Sequence, residues 1–260
     1  MRPIITASRA VSTLAIAAAA FVAEFGVPAP AHAFTIIIGD SEGRVVEGSG
    51  KLVDVHRSVG AFATLRVDGP LDVEARPGSS PGVTVHADDN VEPLVETVVE
   101  GDTLTVRLRH GTRLQTTAPT RVEVQFTRLE ATKQMGSGDL AVFDAKAPSF
   151  RSAIAGGGDL ALHRMQADKL AVAVAGSGNV AADGQADEVK FSVAGSGDIA
   201  ADGLVARKVE VHISGSGDAR VHATESLDAR VSGSGDIGYK GHPRDVTRKI
   251  SGSGSVRADD

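Results

Sequence analysis

The residues best placed to do chemistry in this chain are carboxylates. Asp139, Asp159, Asp198, Asp218 and Asp236 each close a tetrapeptide Gly-Ser-Gly-Asp or a near variant of it, and Asn179 and Ser255 stand at the same place in two further copies. The copies begin at Gly136, Gly156, Gly176, Gly195, Gly215, Gly233 and Gly252, at intervals of 20, 20, 19, 20, 18 and 19 residues. If each copy stacks on the next at strand spacing, neighbouring carboxylates stand about 5 Å apart. That separation is close to the one that retaining glycosidases use for their acid and nucleophile. It also brings like charges together, and a bridging cation would relieve the repulsion. Asp198 and Asp218 are the pair on which a calcium ladder is weighed. Two observations argue against either chemistry. Every copy carries the motif, whereas catalysis needs one pair set apart by its neighbourhood. The calcium-binding β-roll repeats every nine residues, whereas here the period is near 20 and Asn179 interrupts the charges. The expected role is structural: Asp and Asn side chains accept hydrogen bonds from backbone amides in turns, here those of their own corner. No catalytic residue, cofactor or metal site is assigned.

Other candidates are weaker. His56, His86, His110, His163, His212, His222 and His242 are scattered without metal-ligand spacing, and there is no cysteine to complete a site. Gly48-Ser49-Gly50-Lys51 has the Gly-Lys pair of a phosphate loop, but Val45 and Leu52 replace the flanking Gly and Ser/Thr that the loop needs. It reads as a turn. Aromatic platforms for sugars are few: after residue 33 only seven Phe or Tyr remain.

The elements that must carry the acidic column follow from the residues around each corner. Two positions before the first Gly stand Gln134, Ile154, Val174, Val193, Ile213, Val231 and Ile250. Six before it stand Glu130, Phe150, Leu170, Val189, Val209, Leu227 and Val246, and four after it Leu140, Leu160, Val180, Ile199, Ala219, Ile237 and Val256. These columns are mainly aliphatic and are separated by even numbers of residues. That is strand periodicity. One repeat cannot bury its apolar face alone, but a stack can. The expected fold is all-β: a parallel β-helix or solenoid with coils of about 20 residues over 130–260, preceded over 34–129 by an irregular β-rich half. In that half, short strands end at Asp68-Gly69-Pro70, Pro77-Gly78 and Asp88-Asp89-Asn90, and a hairpin turns at Glu100-Gly101-Asp102. Their spacing suits a β-sandwich and irregular solenoid coils equally. At the corners, glycine serves positive φ and close backbone approach. Gly197→Val and Gly217→Val are expected to be costly because a β-branched residue is an outlier at positive φ.

Residues 1–33 read as a secretory signal peptide. Arg2 and Arg9 precede an Ala-rich apolar run over 11–23, and Ala31-His32-Ala33 offers a cleavage site before Phe34. The apolar run is too short to span a membrane. Removing 1–33 takes away Arg2, Arg9 and Glu24, which leaves 25 basic against 32 acidic residues and a net charge of −7. Nucleic-acid binding, which rests on cationic contacts to phosphate, is disfavoured.

A set of motifs in fixed order resembles a known family. The run GKLVDVHRSVGAF over 50–62 leads to Val67-Asp68-Gly69-Pro70-Leu71-Asp72-Val73. Asn90-Val91-Glu92-Pro93-Leu94-Val95, Glu100-Gly101-Asp102-Thr103-Leu104 and Gly136-Ser137-Gly138-Asp139-Leu140 follow. In this order they resemble the head GIN domain family of "putative auto-transporter adhesins", over about 50–256. The resemblance implies a secreted bacterial protein with a β-helix-like body, and it brings no catalytic residues. With Asp260 as its last residue, the chain is expected to lack an auto-transporter's membrane barrel. The expected function is a secreted or envelope-associated, non-enzymatic binding or adhesion module with a glycan or protein ligand. It would be located in the periplasm, at the cell surface or outside the cell. A polysaccharide-active enzyme on a β-helix scaffold is the alternative.

Overall fold

The computed structural model describes residues 44–115 and 120–259. The expected signal peptide lies outside the described residues. The coils of about 20 residues are present, and the protein is a β-solenoid. Strands β13 (Leu160–Gly176), β14 (Val180–Gly195), β15 (Ile199–Gly215) and β16 (Ala219–Gly233) each run from one glycine corner to the next. Each pairs in parallel with the following one. Chain geometry explains how one extended run encloses a core. In β13 the buried residues are Leu160 and Leu162, then Met165, then Leu170, Val172 and Val174. Two adjacent non-buried residues, at 163–164 and again at 168–169, break the alternation. At each break the strand bends and turns a new side inward. The next coil repeats the bends, so the aliphatic residues line up in columns such as Phe150, Leu170, Val189, Val209, Leu227 and Val246. In the first copy the inward position passes to Leu129, which is buried, rather than to Glu130.

The glycine corners form one column: Gly136, Gly156, Gly176, Gly195, Gly215, Gly233 and Gly252 are register partners in turn. At both the first and the third glycine of the motif a Cβ would collide with the backbone of the preceding coil, and the first has a positive φ as well. Gly195 sits at φ +141° and Gly215 at φ +143°. Gly197 and Gly217 are not at positive φ; there, a Cβ would collide with the carbonyl oxygens of Gly178 and Gly197 in the preceding coils. The expected cost of filling Gly197 or Gly217 therefore comes from stacking and not from a strained dihedral.

Upstream of the regular coils, the parallel stack continues. β10 (Ala131–Gly136) and β11 (Leu140–Phe143) rest against β12 (Lys146–Gly156) and β13 on one side. On the other they pair with β3 (Thr64–Asp68) and β4 (Asp72–Pro77). Beyond β3 lies β7 (Thr103–Leu108), and beyond β4 lies β9 (Arg121–Phe126), both parallel. Order along the stack is thus not order along the chain, since the coil of β3 and β4 is inserted between two later ones. At this end antiparallel strands take over. β6 (Val95–Glu100) forms the expected hairpin with β7, around Gly101 at φ +62°. β5 (Gly82–Asp88) covers β9, and β2 (Leu52–Ser58) covers β5. β1 (Arg44–Glu47) and β8 (Thr112–Gln115) make a separate parallel pair. Gly48-Ser49-Gly50-Lys51 is a turn: the Ser49 hydroxyl donates to Asp89 and the Ser49 amide to Asn90. At the C-terminal end, β17 (Ile237–Lys240) and β18 (Asp245–Gly252) lie on β16, and β19 (Val256–Ala258) lies on β17.

Candidate functional site

The acidic column is a continuous hydrogen-bonded ladder, but it is wired between coils rather than within corners. Asp139 Oδ1 accepts from the amide of Asp159 at 2.9 Å, and Asp159 Oδ1 from that of Asn179 at 2.8 Å. Asn179 Oδ1 accepts from Asp198, Asp198 from Asp218 and Asp218 from Asp236, at 3.0, 2.8 and 2.8 Å. Asp236 Oδ1 accepts from the Ser255 amide at 2.7 Å, and hydrogen bonds from the Ser255 hydroxyl first and its amide second hold the Asp236 carboxyl below the usual carboxylate range. The expectation that each Asp serves the amides of its own corner is corrected. The reason lies in the direction of the backbone. From the second corner on, the amide after the first Gly donates to the first Gly carbonyl of the preceding coil, as Ser216 does to Gly195. The residue after the Asp instead donates forward, as Val180 does to the carbonyl of Asp198. Where the ladder switches direction, the Asp amide has no backbone carbonyl to meet, and the side chain one coil earlier supplies the acceptor.

The ladder starts one step earlier than the repeat. Asp72 Oδ1 accepts from the amide of Asp139 at 3.1 Å, although 67 residues separate them. Gly69-Pro70-Leu71-Asp72 takes the place of a Gly-Ser-Gly-Asp corner, with the Leu71 backbone lying where a Cβ on Gly138 would fall. The matching Gly-to-Asp offset was the available signal. Next in the row stand Arg121, His86 and Asp54, as register partners across β9, β5 and β2. His86 Nδ1 lies 2.6 Å from Asp54 Oδ1, and its Nε2 lies 3.5 Å from Glu123 Oε1. Arg121 lies 3.4 Å from Glu74. Among the described residues, no three His, Asp or Glu side chains converge where they could hold a metal ion. Asp198 and Asp218 each commit Oδ1 to an amide.

Two residues along each strand from the ladder runs a column of small side chains, Ala141, Ala161, Ala181 and Ala200. The step down from the Asp column to this alanine shelf forms a groove of about 480 Å³, lined from Asp72, Glu74 and Arg121 to Asp198 and Ala200. Two residues further stands a third column. Arg76 lies over the Phe143 ring, 3.6 Å from its centroid. Phe143 stacks on His163 at 4.8 Å, and His163 Nδ1 lies 3.0 Å from Asp183. Asp144 and Arg164, both at positive φ, make a bidentate ion pair with two contacts of 2.6 Å. Hydrogen bonding to Arg164 lowers the Asp144 pKa. At Asp183 burial acts to raise the pKa, but hydrogen bonds from the Arg164 amide and His163 outweigh it and the net shift is downward. One face therefore presents a carboxylate wall, a smooth floor and, over its first coils, a mixed cation and aromatic wall. The alanine floor and the Oδ1-to-amide bond of the ladder recur over several rungs, so the geometry suits an extended ligand running along the stack and singles out no catalytic pair.

The family described as "Putative auto-transporter adhesin, head GIN domain" matches residues 61–243. No curated protein matches the chain in sequence. Among solved structures, a "putative adhesin" from Bacteroides fragilis NCTC 9343 superposes with a TM-score of 0.77 at 24% identity, covering 82% of this chain and 100% of that one. A "putative lipid binding protein" from Parabacteroides distasonis ATCC 8503 superposes at 0.71 with 27% identity, covering 84% and 100%. A "putative adhesin" from the same organism superposes at 0.65 with 28% identity, covering 83% and 100%. The family match spans both the antiparallel end and the glycine corners that build the ladder, and on that ground the chain belongs to the head GIN domain family.

Proposed function

We propose that the protein is a non-enzymatic binding module of the bacterial envelope that holds an extended, hydroxyl-rich chain along its ladder face. The observation that carries this reading is the groove over the alanine shelf, which keeps an alanine floor across four successive coils beside a row of hydrogen-bond acceptors. Hydroxyl groups donate well to carboxylates, and charge-assisted bonds of this kind are the stronger ones. A ligand with its own repeat can meet the same partner on each rung. Against catalysis stands the repetition of the ladder: an acid and a nucleophile need environments that push their pKa values apart, and each ladder Asp makes the same kind of bond, to a backbone amide of the next coil. The adhesin names of the family and of the structural relatives support a binding role at the cell surface or in the envelope.

The test is binding of the purified protein to an array of envelope polysaccharides and peptidoglycan fragments, with Ala181→Arg as the groove-filling variant. Ala181 lies in the middle of the shelf, so a long side chain there blocks the floor. Saturable binding to a polysaccharide that falls at least about tenfold in the variant, a change of roughly 1.4 kcal/mol, is the expected result. Binding that ignores Ala181→Arg, or turnover of the polysaccharide, overturns the proposal.

A further inference from the structure

A parallel stack has no stop of its own, because the far edge of each coil is the template for the next. Among the described residues, β18 pairs only with β16, and β19 only with β17. No described strand lies on their far edges. By register, Val246, Arg248 and Ile250 continue three inward columns over Leu227, Ala229 and Val231. Two of the three are aliphatic, as those two columns are in the four coils before, and Ile250 is 46% exposed at this edge. The middle position is not. The column Val172, Phe191, Val211, Ala229 ends in Arg248. Its guanidinium reaches across the end of the core to the opposite side, where Nη2 donates to Tyr239 Oη at 2.5 Å. The guanidinium carbon lies 5.6 Å from the centre of the Tyr239 ring, and Tyr239 is only 7% exposed.

We propose that Arg248 is a stop that prevents a second copy of this chain from stacking on the C-terminal coil. A second copy placed on β18 in the manner of another coil would enclose the guanidinium within an apolar core. Among the described residues no carboxylate contacts Arg248, whose partner there is the Tyr239 hydroxyl, so burial would strip its water without an ion pair to offset the loss. A tail-to-tail pair would in addition bring two Arg248 side chains together. Edge strands are commonly protected by an inward-pointing charge. The consequence for this protein is that it acts as single copies, each with its own ladder face.

Sedimentation velocity over a concentration series tests this on wild type, Arg248→Leu and Lys249→Leu. Lys249 is the neighbouring outward position, in register with Arg230. Wild type and Lys249→Leu are expected to sediment as monomers throughout, and Arg248→Leu is expected to shift to dimers and longer species as concentration rises. Circular dichroism confirms that each variant is folded. If Arg248→Leu does not fold, Arg248→Met, which keeps an unbranched stem, takes its place. An Arg248 variant that is folded and stays monomeric overturns the proposal, as does a wild type that already associates, or equal association in the Lys249 control.

Discussion

Each ladder residue does one job that its neighbours repeat, which makes the effect of substitution separable. Asp198 Oδ1 accepts from the Asp218 amide, and Asn179 makes the same bond to Asp198 with an amide oxygen. Asp198→Asn therefore keeps the acceptor and is expected to leave stability nearly unchanged. Asp198→Ala leaves the Asp218 amide without its partner and is expected to cost about 1 kcal/mol, measured by urea denaturation. Calcium enters the same experiment. A ligand that binds only the folded state raises the melting temperature by mass action. With Oδ1 of both Asp198 and Asp218 committed to amides, calcium is expected to leave the melting temperature of wild type and Asp198→Asn unmoved. A saturable rise in wild type that the variant lacks would make the ladder a metal site.

The coil is the element that this chain repeats, and its tightest point is the glycine corner. Two kinds of glycine can be told apart by experiment. Gly101 turns a hairpin at φ +62° with open space around its Cβ position, so Gly101→Ala meets only the dihedral cost of about 1 kcal/mol. Gly197 has an ordinary φ, but a Cβ there strikes the Gly178 carbonyl, which is backbone and cannot swing aside. Gly197→Ala is expected to cost on the order of 3 kcal/mol, as overpacking of a close contact does. Ser196→Ala, on the exposed side of the same corner, is expected to cost little. Denaturant midpoints of the three variants decide the order. A larger loss at Gly101 than at Gly197 would mean that conformation and not stacking governs the corner.

At the scale of the molecule, each inner coil is held from both sides and the last from one. Repeat stability is close to a sum of coil and interface contributions, and local opening follows the number of interfaces that must break. Hydrogen exchange is expected to be slowest in β14 and β15. It is expected to be fastest among the coil strands in β18, most of whose residues are exposed. Equal protection in β14 and β18 would show that the solenoid opens as one unit. At the opposite end, the antiparallel strands β2, β5 and β6 close the stack with a different hydrogen-bond pattern, so the two ends are protected in different ways: by crossing strands at one, by Arg248 at the other.

The sequence by itself determined the coil, its length and its inward columns, because every coil meets the same local demands and so writes the same residues at the same spacing. The hairpin at Gly101 and the glycine corners were legible for the same reason. What only the tertiary structure decided are contacts between coils. The Gly-to-Asp offset marks Asp72 as corner-like, but nothing local pairs it with Asp139 across 67 residues or places β3 and β4 between β7 and β10. The partner of each ladder Asp belongs to the next coil because the backbone reverses its hydrogen-bonding direction at the corner, and a reversal in three dimensions leaves no mark in residue types. Arg248 shows the same limit. In the sequence it is a surface-like charge beside Lys249, and only the register of β18 on β16 turns it toward the end of the core. The groove, too, arises from stacking, since an alanine in each of four coils becomes a floor only when the coils lie side by side.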